Sequence, residues 1–141
     1  MAKAIFDDMV LKSPELSSAG IAVQSAGIWN LNHHKASKEA VQVMQGFGLD
    51  ITAHRSQYID LDLIDWSDLI LVMENKHREY VLSQVPHAQE KVYLLSQFAG
   101  EAGEVPDPID ERIDTYRECA GLLTRLLKVA TEKMAKGAKN E

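Results

Sequence analysis

Only one cysteine, Cys119, occurs in 141 residues. That scarcity excludes an internal disulfide and a four-cysteine zinc site, so neither a redox framework nor a zinc ribbon holds the fold. Long apolar runs are missing as well: none approaches the roughly 20 residues needed to span a bilayer, and Met1 to Asp8 lacks the apolar core of a signal peptide. A cytoplasmic protein with no membrane partner is expected. Basic clusters are also absent. With 15 Lys and Arg against 21 Asp and Glu, a net charge of −6, nothing offers a nucleic-acid backbone the counterion release that drives binding. Nucleic acid is therefore not an expected partner. There is no internal repeat and no Gly/Ser-rich linker, only a charged stretch over 133–141 that is expected to fray. What remains is 45% apolar, enough for one core, and residues 1–141 are read as one domain.

The apolar spacing predicts the elements. Met1, Ile5 and Met9 fall at i, i+4, i+8 with Phe6 and Val10 beside them, an amphipathic helix running to Ser13-Pro14. That helix opens without the Ser, Thr, Asp or Asn that normally satisfies one of its first N–H groups. Ile21 to Ser25 reads as a short strand entering a Ser25-Ala26-Gly27 turn, and Ser37 is placed to cap a helix burying Ala40, Val41, Met44 and Phe47. The aspartates 60, 62, 65 and 68 lack the central glycine and terminal glutamate of a calcium loop, so a short acidic turn or helix is expected there. Leu69 to Met73 is a continuous apolar run, as where helices cover both faces of a parallel strand. Asn75 to about Gln84 reads as helix ending before Pro86, Val92 to Leu95 as another strand, and Ile113, Tyr116, Ala120, Leu123, Leu127, Ala130 and Met134 as one apolar stripe of a long helix. Alternating helices and strands predict an α/β domain with a short parallel sheet.

Cys119 to Arg125 has the spelling C-x5-R, the spacing at which cysteine phosphatases wrap backbone N–H groups around a phosphate. Five arginines in 141 residues put one six places after a given cysteine about 4% of the time, so spelling alone decides nothing. Context decides against it. Inside a helix the N–H groups bond carbonyls four residues back, and six residues turn the side chain by about 240° and advance it about 9 Å, so Cys119 and Arg125 cannot converge on one anion. Cys119 is expected on the apolar stripe between Tyr116 and Leu123, as a small hydrophobe with a raised pKa.

Asp107 lies between Pro106 and Pro108, whose rings fix their own φ and push the aspartate into an extended conformation. Such a carboxyl could be a positioned general acid, and equally a turn before the last helix. His33-His34 occupies a polar loop, and five histidines without carboxylates at ligand spacing point to no metal site. His54-Arg55-Ser56 reads either as an anion contact or as solvated loop. Trp29 would wall a pocket or fill the core, and its size favours the core.

Taken in order, Met1 to Phe6, Ser25-Ala26-Gly27-Ile28-Trp29, Ile51 to Ser56, Asp68 to Met73 and Pro106-Asp107-Pro108 resemble the low-molecular-weight protein-tyrosine phosphatase family, including its bacterial arginine-phosphatase-like members, over nearly the whole chain. The resemblance implies a three-layer α/β/α, phosphotyrosine phosphatase I-like fold and a cysteine-dependent phosphomonoester or phosphoarginine hydrolase that needs no cofactor. It makes Asp107 the general acid, has Ser25 and His54 support the phosphate loop, and has Trp29 line the substrate slot. Relatives carry an aromatic after the Asp-Pro pair where this chain has Ile109-Asp110, which suits a phosphotyrosine ring less.

Members of that family open with a strand and a C-x5-R loop ending in Arg-Ser-Pro before the helix that here starts at Met1. The expectation is a start-site truncation, with an internal methionine taken as residue 1 and the central first strand missing. The same Ser-Pro would have capped the helix. The 141 residues are then expected to be inactive on phosphate esters, and the strand edges left unpaired offer a homodimer contact. The alternative function is a non-catalytic binding or dimerising module on the same fold. Thioredoxin-coupled arsenate reduction would need resolving cysteines that Cys119 alone cannot supply.

Overall fold

The computed structural model describes residues 1–29 and 32–139, the last two of these in backbone alone. Helix α1 (Ala2–Lys12) opens at Met1 with no side-chain cap, as expected. It stops at Ser13, whose hydroxyl accepts from the Leu16 N–H at 3.4 Å and starts a second, unpredicted helix, α2 (Pro14–Ser18). The Ser13-Pro14 pair was read as a stop, yet Ser at the cap and Pro in the first turn are equally a start.

Ser37 caps α3 (Lys38–Gly46) as predicted, accepting from the Ala40 N–H at 3.2 Å. The helix ends in a Schellman turn: the Gly48 N–H reaches the Gln45 carbonyl and the Leu49 N–H the Met44 carbonyl, both at 2.9 Å. Gly48 adopts φ +75°, which an L side chain resists. Of the side chains assigned to this helix's buried face, Phe47 is instead 46% exposed at the cap and Val43 takes the core position. Asp60 caps α4 (Leu61–Trp66), the short acidic helix, by accepting from the Leu63 N–H at 2.8 Å.

Strand β1 (Ile70–Val72) leads to α5 (Asn75–Gln84), a 3₁₀ turn over Pro86–Glu90, strand β2 (Val92–Leu94) and the single turn α6 (Leu95–Phe98). β1 and β2 pair in parallel with Ile70 opposite Val92 and Val72 opposite Leu94. The last helix, α7 (Ile113–Lys139), continues through most of the stretch expected to fray.

Three layers result. On one face α1, α2, α3 and α7 share a core around Ile5, Leu16, Met44, Leu126 and Ala130. On the other, Ile64 of α4, Val81 of α5 and Ile70, Val72, Val92 and Leu94 of the strands form a second cluster. Among the described residues the regular sheet has two strands, and the predicted strand at Ile21 to Ser25 is not one of them. Its alternation survives, with Ile21, Val23 and Ser25 half-buried and Ala22 and Gln24 exposed, but a strand is a property of a pair, and among the described residues none pairs with this segment as a strand. Between it and β1 lies a cavity of about 670 Å³. Among the described residues no helix is long and apolar enough to cross a membrane.

Candidate active site

A second cavity, about 350 Å³, opens where α1 begins, and its walls include Met1, Ser37, His54, His77, Asp107 and Cys119. It shares Ala2, Met73 and His77 with the larger one. The first N–H groups of α1 have no side-chain acceptor, and Met1 and Ala2 stand in its wall. A helix end of this kind carries partial positive charge and favours an anion.

Asp107 reaches this cavity from the loop before α7. Its Oδ1 accepts from the Ile109 N–H at 3.0 Å, an Asx turn that fixes the carboxylate while leaving the residue exposed. The Pro-Asp-Pro segment is therefore a turn, and the turn holds the Asp107 carboxylate. Ile109 is 63% exposed beside it.

His54 is half-buried, and burial, helped by the nearby charges of the amino terminus, Lys3 and Arg55, lowers its pKa below that of a free imidazole. The unfolded chain therefore binds this proton more readily than the folded one. Stability is fully present above about pH 6.5, the ordinary imidazole value, and falls as pH drops below it. Chemical denaturation of His54→Gln at pH 7.5 and pH 5.5 is expected to show a smaller loss on acidification than the parent chain; an equal loss would assign the acid sensitivity elsewhere. Arg55 is occupied by its own loop, donating from Nη1 to the His54 carbonyl at 2.7 Å and the Thr52 carbonyl at 3.2 Å, which leaves the anion reading of His54-Arg55-Ser56 to His54.

Ser25 does not share this cavity. It lines the larger one, where its carbonyl accepts from Gln57 Nε2 at 2.9 Å. Ser25 and His54 thus line different cavities. Trp29 is 69% exposed, which overturns the core reading, and it lines neither cavity.

Cys119 stands on α7 between the buried Tyr116 and Leu123, its thiol directed at the Pro106 carbonyl at 3.9 Å. Burial raises its pKa, outweighing the opposing charge of the amino terminus, and the Asp107 charge adds to the rise, so little thiolate forms. Arg125 turns away to pair with Glu101. The C-x5-R spelling is broken in space as the helical geometry requires. Among the described residues no group of three or more His, Cys, Asp or Glu side chains is placed to hold a metal ion. His77, which sequence reasoning missed, accepts at Nδ1 from the Glu74 N–H at 3.1 Å and so caps α5 at the cavity wall. The signal for it was present, a Glu three residues before a His at a helix start.

Comparison with known proteins gives the family and the fold. Residues 1–140 match the family described as low molecular weight phosphotyrosine protein phosphatase. A protein-arginine-phosphatase of Geobacillus stearothermophilus is 32% identical over 116 residues, 82% of this chain and 78% of that one. The low molecular weight protein-tyrosine-phosphatase Etp of Escherichia coli K12 is 31% identical over 106 residues, 75% of this chain and 71% of the other. Among solved structures, the YwlE arginine phosphatase from Geobacillus stearothermophilus superposes with a TM-score of 0.89 at 28% identity, covering 99% of this chain and 86% of that one. A low molecular weight protein tyrosine phosphatase from T. tengcongensis gives 0.83 at 29% identity, covering 94% and 88%.

Proposed function

This chain belongs to the low molecular weight phosphotyrosine protein phosphatase family, and from that membership we propose that residues 1–141 supply the proton donor and the walls of a phosphatase site, with Asp107 as general acid. One observation carries the reading: a carboxylate locked by the Ile109 N–H faces the same cavity as His54 and the uncapped start of α1. The substrate is a phosphorylated protein side chain, tyrosine or arginine, as the names of relatives of both kinds suggest. Ile109, exposed beside the acid, offers an aliphatic face where a phosphotyrosine ring would stack on an aromatic.

The chemistry follows from what each group can do. A thiolate supplied at the start of α1 would attack phosphorus; the S–P bond would form as the bond to the leaving oxygen or nitrogen breaks, and Asp107 would give that atom its proton. Water then cleaves the phosphocysteine, with the Asp107 carboxylate taking its proton. Ser25 and His54 are assigned to support the loop that would carry the thiolate, and Trp29, exposed and lining neither cavity, to substrate contact outside them. Cys119 is not that nucleophile, because its thiol is protonated and the backbone N–H groups around it are spent within α7.

Turnover of an aryl phosphate tests this directly. The 141-residue chain and its Cys119→Ser variant are both expected at the rate of buffer alone. Robust turnover abolished by Cys119→Ser would overturn the assignment. The free edge of β1 favours a second reading of these residues, as a binding or dimerising module. Light scattering separates the two: a mass of two chains supports the module, and a monomer at every concentration removes a dimer.

A further inference from the structure

Asp107 hangs from a loop, and a second carboxylate on that loop decides where it hangs. After α6 the chain runs through Gly100 and Gly103, both at positive φ, and returns to the end of β1. Two bonds fasten it there. Glu104 Oε2 accepts from the Asn75 N–H at 2.7 Å, and the Val105 N–H donates to the Met73 carbonyl at 2.9 Å. Both reach the junction of β1 and α5, where Glu74 and His77 stand in the wall of the cavity that Asp107 reaches.

Beyond Val105 the bonds are local. Pro106 and Pro108 have no N–H to give, the Ile109 N–H returns to Asp107, and the Glu111 N–H goes to the Pro108 carbonyl at 3.0 Å. The Cys119 thiol, 3.9 Å from the Pro106 carbonyl, is a weak donor. The Val105 side chain is 2% exposed and pins one point of the chain. One pinned point leaves rotation about it, and the attachment one residue earlier removes that freedom. The prolines carry the orientation forward because their φ is fixed. Three residues span at most about 11 Å, so a swing of about 10° at Glu104 would carry the Asp107 backbone about 2 Å. A misplacement of about 1 Å can cost a positioned group on the order of 10²-fold. The Glu104 bond is suited to resist that swing: it is charge-assisted, and the carboxylate meets the first N–H of α5, at the end of the helix that carries partial positive charge.

We propose that Glu104 is a positioning residue: by accepting from Asn75 it holds the loop against the start of α5 and thereby aims the Asp107 carboxylate into the cavity. The inference rests on the reading of Asp107 as general acid, and adds to it a residue that lines neither cavity.

Amide NMR of the full 141-residue chain tests it without turnover. The Ile109 N–H is bonded to Asp107, so its chemical shift follows that carboxylate through an acid titration. Asp107→Asn, which cannot ionise, identifies the part of the change that belongs to Asp107. Glu104→Ala is expected to reduce that part to about half or less and to speed amide exchange at Asn75 and Val105 on the order of tenfold or more. Glu104→Gln keeps an oxygen for Asn75 and is expected to bring both readouts back to within about twofold of the parent. Leu123 and Leu126, in the core, should exchange as in the parent throughout. An Ile109 titration unaltered by Glu104→Ala, no recovery with Glu104→Gln, or faster exchange spread equally to Leu123 and Leu126 would overturn the proposal. Failure of Asp107 as the acid would show instead in the kinetics of its own variants, which these shifts do not read.

Discussion

Replacing Asp107 by alanine, in a chain extended before Met1 by a strand and a C-x5-R loop, is expected to slow aryl-phosphate turnover about 10²- to 10⁴-fold, the range over which a positioned proton donor acts. The loss should depend on the leaving group. A phenolate acidic enough to depart unprotonated needs little help, so the ratio of parent to variant rates should shrink as the leaving phenol becomes more acidic. A change that merely loosened the loop would lower all substrates alike. The Asx turn sharpens the test. Asp107→Asn retains a side-chain oxygen for the Ile109 N–H at the 3.0 Å contact, so it keeps the turn and loses the proton. Unchanged turnover in both variants would remove Asp107 from the chemistry.

Leu126→Ala is expected to cost about 2–5 kcal/mol, the usual range for emptying a buried leucine site. Leu126 is 1% exposed in the core that α7 shares with α1 and α3. Against a domain stability of roughly 5–15 kcal/mol this is a large fraction, and urea denaturation should show a lower midpoint with unchanged slope. The comparison is Val129→Ala, three residues along the same helix and 38% exposed. That change should stay within about 0.5 kcal/mol of the parent, since alanine's better helix propensity offsets the little apolar area lost. Equal losses from the two would mean that the stripe does not carry this core.

Where neighbours in sequence settle the outcome, the fold was readable in advance. The stripe of α7, the Ser37 cap and the α5 boundary before Pro86 depend on a few adjacent residues and appear where expected. Ser13-Pro14 carries a local signal with two meanings, and choosing the stop concealed α2. Ile21 to Ser25 has the composition and alternation of a strand, yet pairing is a long-range event that no local pattern supplies. Trp29 shows the same limit for burial: a large apolar ring prefers the interior, but its place in a polar loop leaves it outside. At the site, the stiffness of Pro106-Asp107-Pro108 was legible and the hydrogen bond that aims the carboxylate was not, because it needs the turn to be formed. The failure of the Cys119 spelling was foreseeable because helix geometry alone separates the two side chains.

The packing of α1 against α7 brings together segments more than a hundred positions apart, down to the Thr131 hydroxyl meeting the Met9 sulfur at 3.9 Å. During synthesis, residues 2–12 leave the ribosome well before the helix they pack against, residues 113–139. Until then Ile5, Phe6 and Val10 lack that cover, and the larger core closes only after residues 113–139 are free of the exit tunnel. Emergence of α7, more than the making of any one element, sets when the larger core can close.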